Sequence, residues 1–208
     1  MIEKVVALIV RKKGQQLQLL IFKHPANGYQ LPAGTVEENE DLEVALRREV
    51  AEETGLTNIK VIQKLGEKTI FLDQNQAVLT QTLRFFSWPA QAAKRHGPLC
   101  TRGLKVNTFE RKVGFTHVRY EEFDLSKEPP TLLWDSEGWV PSEFLTREIR
   151  RHFYLLSVAD EDRDHWKIQS DFGYIFECQW VDVDAIPALS WEQSEWLTYL
   201  ADVNLGSL

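Results

Sequence analysis

The chain has 208 residues, 43% apolar and 26% charged, a composition that builds a packed core rather than a disordered chain. That length fits one domain, or one domain carrying a large insertion. A formal net charge of −7 argues against a protein that coats DNA or RNA, although a bound cation can invert the field locally and admit a small phosphorylated ligand.

Val5 to Val10 is a β-branched run and Leu17 to Phe22 a second apolar run, with polar Arg11 to Gln15 between them, so the pair reads as a hairpin. The opening apolar run is too short to cross a bilayer. Arg11-Lys12-Lys13 follows it in place of a small-residue cleavage site, so a buried first strand and a cytoplasmic, membrane-free protein are expected. His24 to Gly28 is a turn cluster, with His24 a turn residue, and Tyr29 to Gly34 is a short strand that Pro32 confines to an edge or end. Asp41 is a good N-cap for a helix over about 42–54. Leu42, Ala45, Leu46 and Val50 form its apolar face, and Gly55 is its left-handed C-cap.

Strand-like material follows at 59–62 and 69–72, broken at Gly66, and again over 78–86. Residues 88–103 are rich in Pro, Gly and Ala and read as loop or short helix. Residues 113–120 alternate like a strand, 124–130 read as loop, and 141–150 as a short helix. Strand character returns at 152–157 and 173–181 around a charged loop at 160–164. Ser190-Trp191-Glu192-Gln193 resembles a capping box that opens a last helix running to about Val203. Interleaved helices and strands place the chain in the α/β or α+β class. Two cysteines, Cys100 and Cys178, lack metal spacing and are too few for a disulfide scaffold, so two free thiols are expected.

The most informative stretch is 34–56. Glu49, Glu52 and Glu53 stand at i, i+3 and i+4, within an arc of about 100° on one helix face. Their mutual repulsion, and their place near the helix C-terminus where the dipole disfavours anions, call for a compensating charge. A divalent cation supplies one, and hard cations prefer oxygen ligands.

Gly34, Glu40, Arg48, Glu49, Val50, Glu52, Glu53, Gly55 and Leu56 fill, in order, every defined position of the pattern G-x5-E-x7-R-E-U-x-E-E-x-G-U, with U aliphatic. Average residue usage would give that match at about one start in 10^9. The chain thus resembles the Nudix hydrolase family. The diagnostic match covers 23 residues, and the flanking strands and Trp180 to Pro187 follow that family more loosely. The resemblance implies an α/β/α sandwich with a mixed sheet that binds Mg²⁺ or Mn²⁺ and cleaves a diphosphate linkage in a nucleoside diphosphate derivative. Nucleotide sugars, ADP-ribose, dinucleoside polyphosphates and nucleoside triphosphates are the substrate classes. By position, Glu49, Glu52 and Glu53 would ligate metal, with Glu40 accessory and Gly34 allowing close backbone approach. Arg48 would orient the carboxylates, and Glu52 and Glu53 would serve catalysis, Glu52 as the favoured base. Glu110, His117, Glu121, Glu122 and Glu177 remain open for that last role. A bare Nudix domain is shorter, so residues of about 75–150 read as an insertion within one domain spanning 1–208.

Weaker signals surround this core. Tyr29 and Phe22 flank the approach to the motif and are candidates to line a ligand pocket. Arg147 and Arg151, with Arg150 between them in a cluster beside His152, could clamp phosphate. Cys100 has no legible His or Asp partner for a nucleophilic role. The expected partner is a small nucleotide or diphosphate, with no nucleic acid or membrane, and a homodimer is an arrangement common in the family. Two alternatives stand beside the hydrolase: a diphosphate isomerase of the same fold, and a nucleotide-binding sensor without activity.

Overall fold

A computed structural model of the chain describes residues 1–158, 161–170, 173–201 and 203. In chain order its elements begin with strands β1 (Ile2–Lys13), β2 (Gln16–His24), β3 (Gly28–Gln30) and β4 (Ala33–Thr35), then helix α1 (Leu42–Thr54) and strand β5 (Ile59–Phe71). Next come β6 (Gln76–Leu79), β7 (Leu83–Phe86), β8 (Arg95–Cys100), β9 (Lys105–Lys112), β10 (Phe115–Asp124) and β11 (Thr131–Pro141). A 3-10 turn at Ser142–Phe144 leads into β12 (Leu145–Thr146), β13 (Glu148–Val158), β14 (His165–Gln169) and β15 (Ile175–Asp182). A short helix α2 (Gln193–Trp196) and a 3-10 segment (Leu197–Leu200) follow. Among the described residues no helix is long and apolar enough to cross a membrane.

The chain divides into two compact units. One comprises Lys4–Glu67 and Arg151–Leu208, the other Met1–Glu3 and Lys68–Arg150. The first is built on the sheet β14-β15-β2-β1-β13-β5, with β3 added to β2 and β4 to β1. Its architecture explains the unbroken apolar run of β1. Val5, Ala7 and Ile9 face a core completed by Ala45, Leu46 and Val50 of α1. Val6, Leu8 and Val10 face the opposite core, completed by Leu189, Trp196 and Leu200. A strand covered on both faces carries apolar residues at every position instead of every second one. The unit is thus an α/β/α sandwich.

Local chemistry sets α1. The Asp41 carboxylate accepts the Glu43 and Val44 N–H groups at its start, and Gly55 ends it in the left-handed region at φ 72° while donating to Ala51 O. The β1–β2 hairpin pairs Val10 with Leu19 and Lys13 with Gln16. Pro32, which has no N–H to give a ladder, divides β3 from β4, and its carbonyl accepts Ala7 N at 2.8 Å.

Several expectations are corrected. Gly66 does not break a strand, since β5 runs through it. A Cβ at Gly66 would come within 2.9 Å of the Tyr199 ring, so the glycine makes room for an aromatic side chain. No capping box forms at Ser190. Its hydroxyl donates to Asn27 O, while Gln193 Oε1 accepts Leu31 N at 2.6 Å, so both polar side chains tie the C-terminal segment to the β3 region. The last helix is accordingly one turn followed by a 3-10 segment. Of the charged loop expected at 160–164, residue 160 lies outside the described residues, as do 202 and 204–208 at the end.

The second unit is a seven-stranded sheet, β12-β6-β9-β10-β11-β7-β8, with antiparallel pairings throughout. Its core gathers Leu79, Leu83, Phe85, Val106, Val118 and Val140. The loop or helix expected over 88–103 contains β8 instead. The helix expected over 141–150 is a 3-10 turn and two strands, because Leu145 and Thr146 pair with Leu79 and Val78 of β6.

Gly55 carries a direct stability test. Gly55→Ala would hold a side chain at positive φ and set its Cβ 3.1 Å from Ile168 Cδ1. Urea denaturation of this variant is expected to show a loss of about 1–2 kcal/mol.

Candidate functional site

The β4 strand, the loop after it and the α1 helix bring most of the motif together around one guanidinium. Arg48 binds Glu40 through two bonds, Nε to Oε1 and Nη2 to Oε2, both at 2.9 Å. Its Nη1 reaches Glu49 Oε1 at 2.9 Å and Glu52 Oε2 at 3.1 Å. Nη2 also donates to Thr35 O at 3.0 Å. A planar fork with donors on several sides suits this geometry, which a lysine point charge would not reproduce. The interaction holds the Glu40 carboxyl below its usual range, chiefly through the hydrogen bonds from Arg48.

Glu49 is the most sheltered of the two helix carboxylates on Arg48, with 14% of its side chain exposed against 36% for Glu52. It lies against Gly34, where a Cβ would overlap its carboxylate. Glu53 accepts Ala33 N at 2.8 Å. Thus Gly34 is flanked by two carboxylates, one held by a side chain and one by backbone. Burial raises the pKa of Glu49 and raises that of Glu53 well above the usual range. Arg48 opposes this rise at Glu49, and the bond from Ala33 opposes it at Glu53.

Lys4, which sequence reasoning passed over, completes this group. It pairs with Thr35 across β1 and β4 and donates from Nζ to Thr35 Oγ1 at 3.0 Å. Burial and the Arg151 charge lower its pKa to about 8, while Glu49, Glu53 and Glu192 pull the other way. The available signal was a single lysine one residue ahead of a fully apolar strand, in phase with Val6 and Leu8. Arg151 therefore lies within electrostatic reach of Lys4. Its Nη2 pairs with Glu192 at 3.0 Å, its guanidinium sits 4.8 Å from the Trp196 ring centroid, and its buried Nε has no hydrogen-bond partner.

The other candidates separate. Tyr29 is half-buried and lines a cavity of about 260 Å³ with Lys23, Trp166, Lys167, Glu177 and Gln179. Phe22, expected to line a ligand pocket, is 1% exposed in the core and stacks on Phe176 at 4.6 Å between centroids. Apolar residues at even positions of β2 face the α1 side, which drew it inward. Arg147 belongs to the all-strand unit, where its guanidinium donates to Leu72 O at 2.6 and 2.9 Å. Arg147 and Arg151 thus fall in separate units, each with its own partner. Glu110, His117, Glu121 and Glu122 lie on β9 and β10 of the all-strand unit, and Glu177 on β15 pairs with Lys167 at 2.6 Å. His24 is a turn residue whose Nδ1 accepts the Ala26 and Asn27 N–H groups.

Against this geometry, residues 2–98 match the family model described as NUDIX domain. That match takes in every motif residue from Gly34 to Leu56. Over 38 residues the chain is 55% identical to RNA pyrophosphohydrolases of two Caulobacter vibrioides strains, NA1000 / CB15N and ATCC 19089 / CIP 103742 / CB 15. That similarity covers 18% of this chain and 22% of each relative, so the chain spans about a fifth of the length of the curated relatives it matches. Among solved structures it is similar to the C. elegans Ap4A hydrolase, at 14% identity and TM-score 0.45, with 97% of this chain and 94% of that chain covered. It is also similar to a UDP-X diphosphatase, at 13% identity and TM-score 0.46, with 100% and 64% covered. A mutT/nudix family protein from Listeria innocua is similar at 15% identity and TM-score 0.39, with 96% and 90% covered.

Among the described residues, no three His, Cys, Asp or Glu side chains stand close enough together to form a finished metal cage. Glu49, Glu52 and Glu53 offer carboxylate oxygens, the donor type that hard cations prefer, and Glu49 lies against Gly34. Arg48 holds Glu49 and Glu52, and Ala33 N–H holds Glu53.

Both thiols are free and buried, and Cys178 Sγ donates to Glu53 O at 3.6 Å. Burial pushes Cys100 up to about 11 and Cys178 up to about 12. Neither is a thiolate at neutral pH, so a disulfide reagent at pH 8 is expected to label no cysteine in the native protein and both after unfolding.

Glu53 gives a pH test with a definite sign. A carboxyl whose pKa is raised in the folded state holds its proton more tightly there than in the unfolded chain. Its contribution is present at low pH and is lost as pH rises from the ordinary glutamate value of about 4.3 through the raised folded value. In metal-free buffer, the Tm of the wild type is expected to fall more steeply between pH 5 and 7.5 than that of Glu53→Gln. Equal slopes would remove Glu53 from the pH response.

Proposed function

We propose that this chain is a divalent-metal-dependent hydrolase that cleaves a diphosphate linkage in a nucleoside diphosphate derivative. The observation that carries the reading is the placement of Glu49 against Gly34, of Glu53 on Ala33 N and of Glu52 on Arg48, with Lys4 bonded to Thr35 Oγ1 and within electrostatic reach of Arg151. A diphosphate needs its oxygens neutralised and a water activated beside it. Glu49, Glu52 and Glu53 are the residues that would hold Mg²⁺ or Mn²⁺. The bound cation would neutralise the phosphoryl oxygens and activate the attacking water.

The residues of the chain have separate tasks in this reading. Arg48, fixed by Glu40, aims Glu49 and Glu52 and keeps their charges tolerable without metal. Lys4 and Arg151 face the diphosphate. The unpartnered Nε of Arg151 is a buried donor that a phosphate oxygen would satisfy. Glu52, the more open of the two carboxylates on Arg48, takes the proton of the attacking water. Tyr29 and the cavity beside it hold the nucleoside end. The all-strand unit is an insertion within the NUDIX domain.

A panel comprising a nucleotide sugar, ADP-ribose, a dinucleoside polyphosphate, a nucleoside triphosphate and a 5′-triphosphorylated RNA, each with Mg²⁺ or Mn²⁺, tests the proposal. The RNA is included because of the local similarity to RNA pyrophosphohydrolases. At least one compound is expected to be split. Glu52→Gln should lower kcat by about 10²-fold or more, the scale of a lost general base. Gly34→Ala should also lose activity, because the added carbon displaces Glu49. Arg151→Met should act mainly through KM. Tight nucleotide binding with no product from any compound would replace the hydrolase with the sensor.

A further inference from the structure

We infer that Trp191 stacks on the base of the nucleoside diphosphate derivative, a role that rests on the substrate class proposed for this chain. Trp191 is 59% exposed, whereas Trp180 and Trp196 of the same unit are buried. One apolar side chain in solvent is ordinary. The backbone that carries this one is not. Its φ is 52°, in the left-handed region, where a bulky residue is a rare outlier. Gln193 N donates to Ser190 O at 3.2 Å, and Glu192 follows Trp191 at φ −73° and ψ 3°. Residues 190–193 thus form a turn of the II′ kind, whose first central position ordinarily takes glycine.

Packing does not offset that strain, because the indole faces water. Strained backbone persists where surrounding bonds over-determine it, and it gathers at ligand clamps. Here the bonds lie on both sides of Trp191. Ser190 N donates to Tyr29 O at 2.8 Å, and the Ser190 hydroxyl donates to Asn27 O. Gln193 Oε1 accepts Leu31 N at 2.6 Å, and Glu192 accepts Arg151 Nη2 at 3.0 Å. Both ends of the turn are therefore fixed to the β3 region, and the indole stands on a backbone already held in place.

The neighbours of Trp191 identify the ligand. On one side, Ser190 is bonded to Tyr29, which lines the cavity of about 260 Å³. On the other, Glu192 is bonded to Arg151, whose buried Nε has no hydrogen-bond partner among the described residues. A nucleoside diphosphate derivative has the matching polarity, with a flat aromatic base at one end and a polyanion at the other. The phosphate end meets Arg151 and Lys4, and the base covers the indole and removes it from water. Every base has a π-face, so Trp191 supplies affinity for nucleotides over bare diphosphates and does not choose among bases. A platform whose backbone is fixed in advance gives up little freedom on binding.

Titration calorimetry with ADP, UDP and inorganic pyrophosphate, each with Mg²⁺, tests this on the wild type, Trp191→Gly and Trp191→Phe. Trp191→Gly is expected to raise Kd for both nucleotides about tenfold or more and to leave Kd for pyrophosphate within about twofold. Its Tm should be equal or higher, because glycine accepts the positive φ without strain. Trp191→Phe keeps a stacking ring and should retain most of the nucleotide affinity. The difference in tryptophan emission between wild type and Trp191→Phe should be quenched by ADP and not by pyrophosphate. Unchanged ADP and UDP binding in Trp191→Gly overturns the inference. So does an equal loss for nucleotides and pyrophosphate, or a fall in Tm together with binding, since either gives the indole a structural role. A wild type that binds ADP and UDP no more tightly than pyrophosphate also overturns it. Binding is read without turnover, so nucleotide binding that depends on Trp191, with no product from any compound of the panel, upholds the stacking role while the sensor replaces the hydrolase.

Discussion

The Arg48 guanidinium is the interaction on which the candidate site depends. One helix turn presents Glu49 and Glu52 toward the same space, and the loop before the helix adds Glu40. Three carboxylates this close repel one another, and partial burial magnifies the repulsion. Arg48 binds all three and a backbone carbonyl of β4 at once, fixing the helix against the strand that carries Gly34. The arrangement is specific to these residue types. A lysine lacks the fork, and any side chain at position 34 would occupy the space of the Glu49 carboxylate.

That local device works because the sheet beneath it is rigid. β1 is covered on both faces, so its backbone is fixed by packing on either side, and it carries Lys4 and the pairing partner of Gly34. The helix is fixed at each end by its own caps and along its length by Ala45, Leu46 and Val50. Function placed on such a frame is held to small tolerances, which suits the positioning of several charges around a polyphosphate.

The all-strand unit obeys a different logic. Its core is small, and much of its apolar surface faces outward, including the distal part of one hairpin. Strand signals there were weak because the alternation is interrupted. β8 contains Gly97 and Pro98, and β11 opens with the exposed run Leu132-Leu133-Trp134, which follows no two-residue period. Period-2 patterning reports a half-buried strand, and a ribbon exposed on both faces has no buried face to report.

What the sequence determined by itself was whatever depends on neighbours along the chain: the α1 helix with Asp41 and Gly55 as its caps, the β1–β2 hairpin, and the spacing that sets Glu49, Glu52 and Glu53 on successive turns. These rest on side chains bonding to backbone a few residues away and on a regular period, so they survive without knowledge of the rest of the molecule. Tertiary structure alone decided which groups meet. It brought Lys4 and Arg151, 147 positions apart in the numbering, within electrostatic reach, turned Phe22 into the core, left Arg147 on the Leu72 carbonyl of its own unit, and recruited Ser190 and Gln193 to tie down β3 instead of capping a helix. Each of those outcomes is set by strand order and by which face of the sheet a residue occupies, and long-range pairing of that kind leaves no mark within a local window of sequence.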